Sequence, residues 1–125
     1  MSSLKVSIVI VTYSNKRIKF IKRLFKSIEN QTYKNIETII VLNGAETDIK
    51  QLVLNWASKE KKNRKVLSFK NNINLSKDNT RLGKMRYQKG INVSTGDLIF
   101  CQSDDDFVSH DFFFKMVTLF NNNKD

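Results

Sequence analysis

The chain has 125 residues, enough for one domain with a sizeable core, and its 40% hydrophobic and 27% charged residues exclude a disordered or fibrous protein. Its formal net charge of +10 predicts attraction to phosphate-bearing partners, whether nucleotides, nucleic acids or anionic lipid head groups. Because Cys101 is the only cysteine, and because no apolar segment has the length of a secretory signal or of a ~18-residue membrane span, the sequence excludes a disulfide framework and predicts a cytoplasmic protein.

The first half of the chain alternates strand and helix patterns. Lys5–Val11 reads KVSIVIV, a β-branched run that predicts a strand buried on both faces of a parallel sheet. Apolar residues at intervals of three and four then predict a helix over about residues 17–30. Ile36–Leu42 predicts a second buried strand, and the turn Asn43-Gly44 leads to a second amphipathic helix. The apolar side chains of that helix are Ile49, Leu52, Val53 and Trp56.

The second half continues this alternation with one interruption. Lys65–Phe69 predicts a weaker third strand, and Asn71–Gly83 favours a loop because it is dense in Asn, Ser, Asp and Gly. A loop of that length is uncommon in a compact domain and suggests a function. A helix over about Lys84–Val93 and a fourth strand over Asp97–Gln102 follow, in which Cys101 is expected to be a buried apolar residue. The last helix bears Phe113, Met116, Val117 and Phe120.

Strands that alternate with helices predict a doubly wound α/β fold. Each right-handed crossover places its helix on one face, so we expect a mainly parallel sheet with helices on both faces. The absence of an internal linker predicts one Rossmann-like domain over residues 1–125. In such sheets, ligands bind beyond the carboxyl ends of the strands where the winding direction reverses, commonly between the first and fourth strands.

Both of those strand ends carry unusual polar residues. The first strand leads into Thr12–Asn15, with the sequence TYSN, and the fourth into Asp104–Asp106. Adjacent carboxylates repel one another, and Mg²⁺ or Mn²⁺ would offset that repulsion while bridging to the oxygens of a diphosphate. The alternative is a solvated acidic turn that the dipole of the last helix favours. No GxGxxG or GxxxxGK[ST] motif follows a strand, which disfavours a nicotinamide enzyme and a P-loop ATPase.

Several segments, in matching order, resemble the inverting family 2 glycosyltransferases of GT-A fold. VSIVIVTYSN is similar to the family's opening strand and Thr-Tyr-Asn turn, and SIENQTYKNIETIIV to its Gln-Thr-Tyr segment and second strand. GINVSTGDLIFCQSDDDFVSHDFF resembles the segment in which a Gly-Asp strand entry leads to the acidic DxD-type metal motif. The resemblance covers residues from Lys5 to about Phe120 and implies transfer of a sugar from a nucleotide-diphosphate sugar donor.

By that resemblance, the acidic run would form a metal site. Asp105 would bind the ion that bridges the donor diphosphate, and Asp104 would hold the ribose or support the metal. Asp106 would be a further metal ligand, although its position varies in the family. The implied cofactor is Mn²⁺ or Mg²⁺.

The resemblance also implies contacts to the nucleotide. Tyr13 would contact the base, with Thr12 and Asn15 in the same turn. Asn43 stands where family members usually have an acidic residue, and it would pair with a base edge. Arg86 lies one residue before the family's arginine position and would contact the diphosphate.

The catalytic base of the family lies in a part of the fold that follows the acidic motif. Nineteen residues follow Asp106, so we expect the acceptor-binding half to be missing from this chain. The catalytic residue and the acceptor therefore stay unassigned, and an oligomer or a partner chain could complete the fold. A truncated module that binds nucleotide sugar without turnover is the second functional hypothesis.

The remaining charge suggests two further partners. Lys19, Lys22, Arg23 and Lys26 lie opposite the apolar stripe of the first helix, forming a basic face that is either solvated or in contact with an anionic membrane surface. Nucleic-acid binding is the weakest hypothesis, because no recognition motif accompanies the charge. We therefore expect no specific nucleic-acid partner.

Overall fold

The computed structural model describes residues 4–72 and 79–123, with the backbone alone for residues 79–83. Strands and helices alternate along it, and each predicted strand end lies within one residue of the observed end. The elements are β1 (Val6–Thr12), α1 (Ile18–Glu29), β2 (Ile36–Asn43), α2 (Thr47–Ser58), β3 (Arg64–Phe69), α3 (Asn79–Val93), β4 (Leu98–Gln102) and α4 (Phe112–Asn122). A short 3₁₀ turn at Asn15–Arg17 precedes α1.

The four strands form one parallel sheet in the order β3-β2-β1-β4. The chain moves from β1 outward to β2 and β3, and then returns to place β4 on the other side of β1. The winding direction therefore reverses between β1 and β4, as the sequence predicts. In the register of this pair Ile10 lies opposite Gln102, so the segments that follow β1 and β4 leave the sheet side by side.

Helices cover both faces of the sheet, which confirms the predicted layers. Helices α1, α2 and α4 pack on one face around Ile8 and Ile10 of β1, and α3 packs Tyr87 and Ile91 on the other. Helix α3 approaches closely at Gly90, where an added Cβ would lie 2.4 Å from Val9 Cγ1. Each fully buried aliphatic or aromatic side chain contributes about 2 kcal/mol, so the two apolar layers hold the strand ends in fixed positions.

Two predictions from the sequence are wrong. Helix α3 begins at Asn79, inside the predicted loop, because packing against the sheet stabilises a helix whose first residues have weak helix propensity. The predicted loop also includes residues 73–78, which lie outside the described residues. Cys101 is exposed, because β4 pairs only with β1 in the described sheet and one of its faces is uncovered. Of the apolar residues on α4, Phe113 and Val117 are buried, whereas Met116 and Phe120 are exposed.

A buried carboxylate fixes the opposite end of the sheet. Glu37 accepts hydrogen bonds from Ser7 Oγ (2.6 Å) and from the backbone N of Thr95 (2.5 Å), and its oxygen lies 3.4 Å from Lys65 Nζ. Burial opposes its ionisation, but the bonds from Ser7 and Thr95 and the charge of Lys65 outweigh burial and lower the pKa of Glu37 to about 2. Glu37 therefore holds the connection between α3 and β4 as an anion.

Candidate functional site

The carboxyl ends of β1 and β4 meet in one hydrogen bond. Two residues beyond the pair Ile10 and Gln102, the buried Thr12 donates its hydroxyl to Asp104 Oδ2 at 2.8 Å. Parallel pairing places the two residues opposite each other, because the register continues past the last paired residue of β4. Thr12, which is predicted to lie at the nucleotide, and Asp104, which is predicted to lie at the metal, are therefore in direct contact.

Asp104 is largely buried at this point, with 14% of its side chain exposed. Desolvation by burial raises the pKa of its carboxyl above the ordinary value, and the neighbouring Asp105 adds to that effect. The bond from Thr12 and the charge of Arg17 act in the opposite direction. The protein thus holds a carboxylate in an environment where an additional cation would stabilise its charge.

Asp105 has a different environment, since 46% of its side chain is exposed. Ser103 Oγ donates to its Oδ1 at 2.5 Å, and Arg17 Nη1 donates to its Oδ2 at 2.9 Å. The Ser103 bond, followed by the Arg17 bond, lowers the pKa of Asp105 below the ordinary value. Arg17 Nε also lies 3.9 Å from Asp104 Oδ1, so one guanidinium spans both carboxylates.

Asp106 is exposed and has a local partner, since its Oδ1 accepts a hydrogen bond from the backbone N of Phe107 at 2.8 Å. In the part of the chain that the structure describes, no group of three or more His, Cys, Asp or Glu side chains is arranged to hold a metal ion. Asp104 and Asp105 nevertheless offer hard oxygen donors side by side. Such a pair fits Mg²⁺ or Mn²⁺ when diphosphate and water oxygens complete the coordination.

Tyr13 and Asn15 follow β1 and have different environments. Tyr13 is exposed, with 38% of its surface accessible. Asn15 is committed to the fold, because its Oδ1 accepts from the backbone N of Ile49 at 2.9 Å in the first turn of α2. That N–H has no partner within the helix, so Asn15 acts as a cap from outside it. The exposed Tyr13 ring is accessible to a ligand.

A second polar group forms beside β2 and β3. Arg86 Nε donates to Asn43 Oδ1 at 3.0 Å, and its Nη2 donates to the backbone O of Asn71 at 2.9 Å. The guanidinium lies over the Phe69 ring, 3.9 Å from its centroid. Asn43 also donates to Asn72 Oδ1 at 3.2 Å. The two residues predicted separately as base and diphosphate contacts are thus joined in one cluster.

Three residues at the site were missed by the sequence analysis. Arg17 and Ser103 bind the Asp105 carboxylate, and Tyr87 donates its hydroxyl to the backbone O of Gln102 at 3.2 Å. Burial, and then the charge of Asp104, raises the pKa of Tyr87 to about 12, which keeps its hydroxyl neutral. The position of Ser103 beside the acidic run is a signal for its role. Nothing in the sequence separates Arg17 from the other 21 Lys and Arg residues.

Gln31 fixes the segment that follows the acidic run. Its buried amide donates to the backbone O of Ser109 at 2.6 Å and accepts from the backbone N of Phe113 at 3.2 Å. These bonds join the end of α1 to the start of α4. The loop that carries Asp104 and Asp105 is therefore held at both ends.

Comparison with known proteins identifies similar sequences. Residues 7–125 match the profile of Glycosyl transferase family 2. An uncharacterized glycosyltransferase of Methanocaldococcus jannaschii is 30% identical over 121 residues, which cover 96% of this chain and 38% of that protein. A glucosyl-dolichyl phosphate glucuronosyltransferase of Haloferax volcanii is 27% identical, over 98% of this chain and 36% of that protein. The chain thus spans little more than a third of these relatives.

Solved structures share the fold. Residues 1–349 of TarS from S. aureus superpose with a TM-score of 0.80 at 17% identity, over 97% of this chain and 33% of that chain. The same TarS segment has been solved in complex with UDP-GlcNAc. A mannosyltransferase from Pyrobaculum calidifontis, solved with GDP-Man and Mn²⁺, gives a TM-score of 0.74 at 16% identity, over 94% of this chain and 32% of that chain.

Proposed function

The chain belongs to Glycosyl transferase family 2, and we propose that it forms the donor-binding part of a metal-dependent transferase that uses a nucleotide-diphosphate sugar. The observation that carries this proposal is the contact between Thr12 and Asp104 at the reversal of the sheet, with Asp105 beside it. This is the edge where doubly wound sheets bind their ligands. The solved complexes of TarS with UDP-GlcNAc and of the mannosyltransferase with GDP-Man support the same class of donor.

Asp105 and Asp104 are the residues that would hold Mn²⁺ or Mg²⁺. Asp105 is the better direct ligand, because it is exposed and ionised, whereas the largely buried Asp104 accepts from Thr12. A divalent ion at this position would neutralise charge that develops on the leaving diphosphate. The mannosyltransferase structure that contains Mn²⁺ supports a metal of this kind, and Asp106 remains a proposed additional ligand.

The nucleotide would lie between the two polar clusters of this edge. The exposed ring of Tyr13 offers a stacking surface for a base. Arg86 offers a half-buried guanidinium that would bind polar atoms of the base or the diphosphate, and the fully buried Asn43, which accepts from it, would hold that guanidinium in place. The positive charge of the domain favours the approach of this anionic ligand.

In the proposed inverting transfer, the acceptor oxygen forms a bond to the anomeric carbon as the bond from that carbon to the diphosphate oxygen breaks. A carboxylate base takes the proton of the acceptor hydroxyl. We assign no residue of this chain to that base. The residues of the chain bind the donor and support the leaving group.

Titration calorimetry tests this function. UDP, GDP and their sugars would be added to the protein with and without Mn²⁺, using Asp105→Asn as the variant and the exposed Asp48→Asn as the matched control. We expect metal-dependent binding of at least one nucleotide in the wild type and the control, and at least tenfold weaker binding in Asp105→Asn. Failure of every nucleotide to bind would overturn the proposal. A module without turnover would bind nucleotide but transfer no sugar. An acceptor screen with labelled donor would measure the transfer.

We also propose that the basic face of α1 contacts anionic lipid. Lys19, Lys22, Arg23 and Lys26 are exposed, and none of them forms a salt bridge with a described acidic residue. Arg23 lies 4.5 Å from the centroid of the exposed Phe107 ring, which connects this face to the acidic loop. Exposed cations around an aromatic side chain fit an anionic head-group region.

Sedimentation with vesicles tests this surface contact. None of the described helices is long and apolar enough to span a bilayer, so the test concerns surface binding. We expect binding to phosphatidylglycerol vesicles at low salt and its loss in Lys19→Glu with Lys22→Glu, while Lys61→Glu with Lys62→Glu keeps most of it. Equal loss in both pairs, or salt-sensitive RNA binding without vesicle binding, would contradict a lipid-binding face.

A further inference from the structure

Arg17 occupies the place between the two carboxylates of the proposed metal site. Its Nη1 is 2.9 Å from Asp105 Oδ2, and its Nε is 3.9 Å from Asp104 Oδ1. The side chain reaches this position from the end of the 3₁₀ turn, and 42% of it is exposed. The guanidinium therefore supplies positive charge that offsets the repulsion between the two carboxylates.

This arrangement sets Arg17 in competition with any other cation. Asp105 Oδ2 cannot keep its charge-assisted bond to Arg17 and also offer the same lone pairs fully to a metal ion. The other oxygen of Asp105 is already bonded to Ser103 Oγ at 2.5 Å. A divalent ion that binds the ligand-free protein must therefore displace the guanidinium or share its partner, and either process weakens the binding of the ion.

We propose that Arg17 is an internal counter-cation that couples nucleotide binding to metal binding. In the ligand-free protein it holds Asp105 and lowers its affinity for the metal. When a diphosphate enters, Arg17 turns from the carboxylate to the phosphate oxygens, which a guanidinium binds in the same forked geometry. Asp105 is then released to the metal. The inference rests on the proposed donor site and names the residue that regulates it.

The coupling has a measurable size. Exposed ion pairs contribute little because water screens them, so removal of Arg17 should strengthen metal binding to the ligand-free protein about three- to tenfold. The linkage is reciprocal, and the increase in metal affinity that nucleotide causes should be smaller in the variant by about the same factor. If Arg17 had a structural role alone, its removal would neither strengthen metal binding without nucleotide nor reduce the increase that nucleotide causes.

Electron paramagnetic resonance of free Mn²⁺ measures these affinities without any sugar transfer. Wild type, Arg17→Gln and Arg17→Lys would be titrated with Mn²⁺ alone and again with saturating GDP or UDP. The matched control is Lys16→Gln, which removes one exposed positive charge next to Arg17 in the sequence. We expect tighter Mn²⁺ binding without nucleotide in Arg17→Gln, wild-type behaviour in Lys16→Gln, and an intermediate value in Arg17→Lys, which keeps the charge but not the fork.

The outcomes separate this inference from the function on which it rests. If nucleotide and Mn²⁺ bind together in the wild type, but Arg17→Gln binds Mn²⁺ alone no more tightly than wild type, the counter-cation is overturned and the donor site stands. Equal tightening in Lys16→Gln would overturn it as well, because general electrostatics would explain the effect. If the wild type binds no nucleotide with or without Mn²⁺, both the proposed donor site and the proposed role of Arg17 are overturned.

Discussion

Thr12 and Asp104 are joined by a 2.8 Å hydrogen bond across the gap between the ends of β1 and β4. The bond connects β1, an inner and largely buried strand of the sheet, to the loop that carries the proposed metal ligands. It also stabilises the charge of a carboxylate whose pKa burial would otherwise raise further. Fold and site are therefore coupled at this pair of residues.

Replacing Thr12 by Val should separate the hydroxyl from the packing, because the two side chains have similar shape. Loss of the donor leaves Asp104 less stabilised as an anion, and we expect about fivefold to tenfold weaker binding of nucleotide with Mn²⁺. The free energy of unfolding should fall by about 1 kcal/mol. Calorimetry and urea unfolding measure both quantities. Thr12→Ser keeps the hydroxyl and should retain most of the affinity; equal loss in both variants would contradict this role.

Glu37 should make the fold sensitive to acid. Its pKa is about 2 in the folded protein and 4.5 ordinarily, so the folded state favours the anion. The stabilisation, about 3 kcal/mol, is then fully present above pH ~4.5 and is lost as the pH falls toward ~2.

Urea unfolding of wild type and Glu37→Gln between pH ~7 and ~3 measures this contribution to the free energy of unfolding. We expect the variant to be less stable at neutral pH and to depend less on pH, with Glu60→Gln as the exposed control. Parallel pH curves for wild type and Glu37→Gln would show that Glu37 is not the titrating group.

Arg86 should contribute to nucleotide binding through the cluster that it forms with Asn43. Arg86→Met keeps much of the apolar stem over Phe69 but removes the donors to Asn43 and Asn71. We predict about tenfold weaker nucleotide binding by calorimetry, with little change in affinity for Lys89→Met on the same helix. Unchanged binding in Arg86→Met would exclude this cluster from the donor site.

Gly90 should be required for the close packing of α3. An added Cβ would lie 2.4 Å from Val9 Cγ1, so Gly90→Ala must move a core side chain or the helix. We expect a loss of about 1 to 3 kcal/mol in the free energy of unfolding. Combining it with Val9→Ala removes the contacting methyl groups, and the double-mutant cycle should show a favourable coupling. Strictly additive effects would mean that the two positions do not clash.

The strands and the reversal point of the sheet could be predicted because β-branched runs such as Lys5–Val11 and Ile36–Leu42 carry a strong local signal. The start of α3 could not, since Asn79 and Thr80 have weak helix propensity and the stabilising contacts are remote in sequence. The exposure of Cys101 depends on whether another element packs against β4, and the local sequence pattern does not show this.

The sequence likewise predicted some features of the site and not others. The proximity of Thr12 and Asp104 follows from parallel strand topology, and the acidic run itself suggested a cation. The position of Arg17 depends on one side-chain conformation among 22 cationic residues. The pairing of Arg86 with Asn43 depends on how α3 lies over β2, a distance that sequence spacing does not give.

Paramagnetic broadening by Mn²⁺ tests the location of the donor site most directly. Amide resonances of the ¹⁵N-labelled protein would be compared with Mn²⁺ and with diamagnetic Mg²⁺, in the presence of the nucleotide that binds. We predict that broadening is strongest at Tyr13 and at Asp104–Asp106 and is absent at Glu37 and Thr95, at the opposite end of the sheet. Broadening centred away from the ends of β1 and β4 would contradict a donor site built on Asp104 and Asp105.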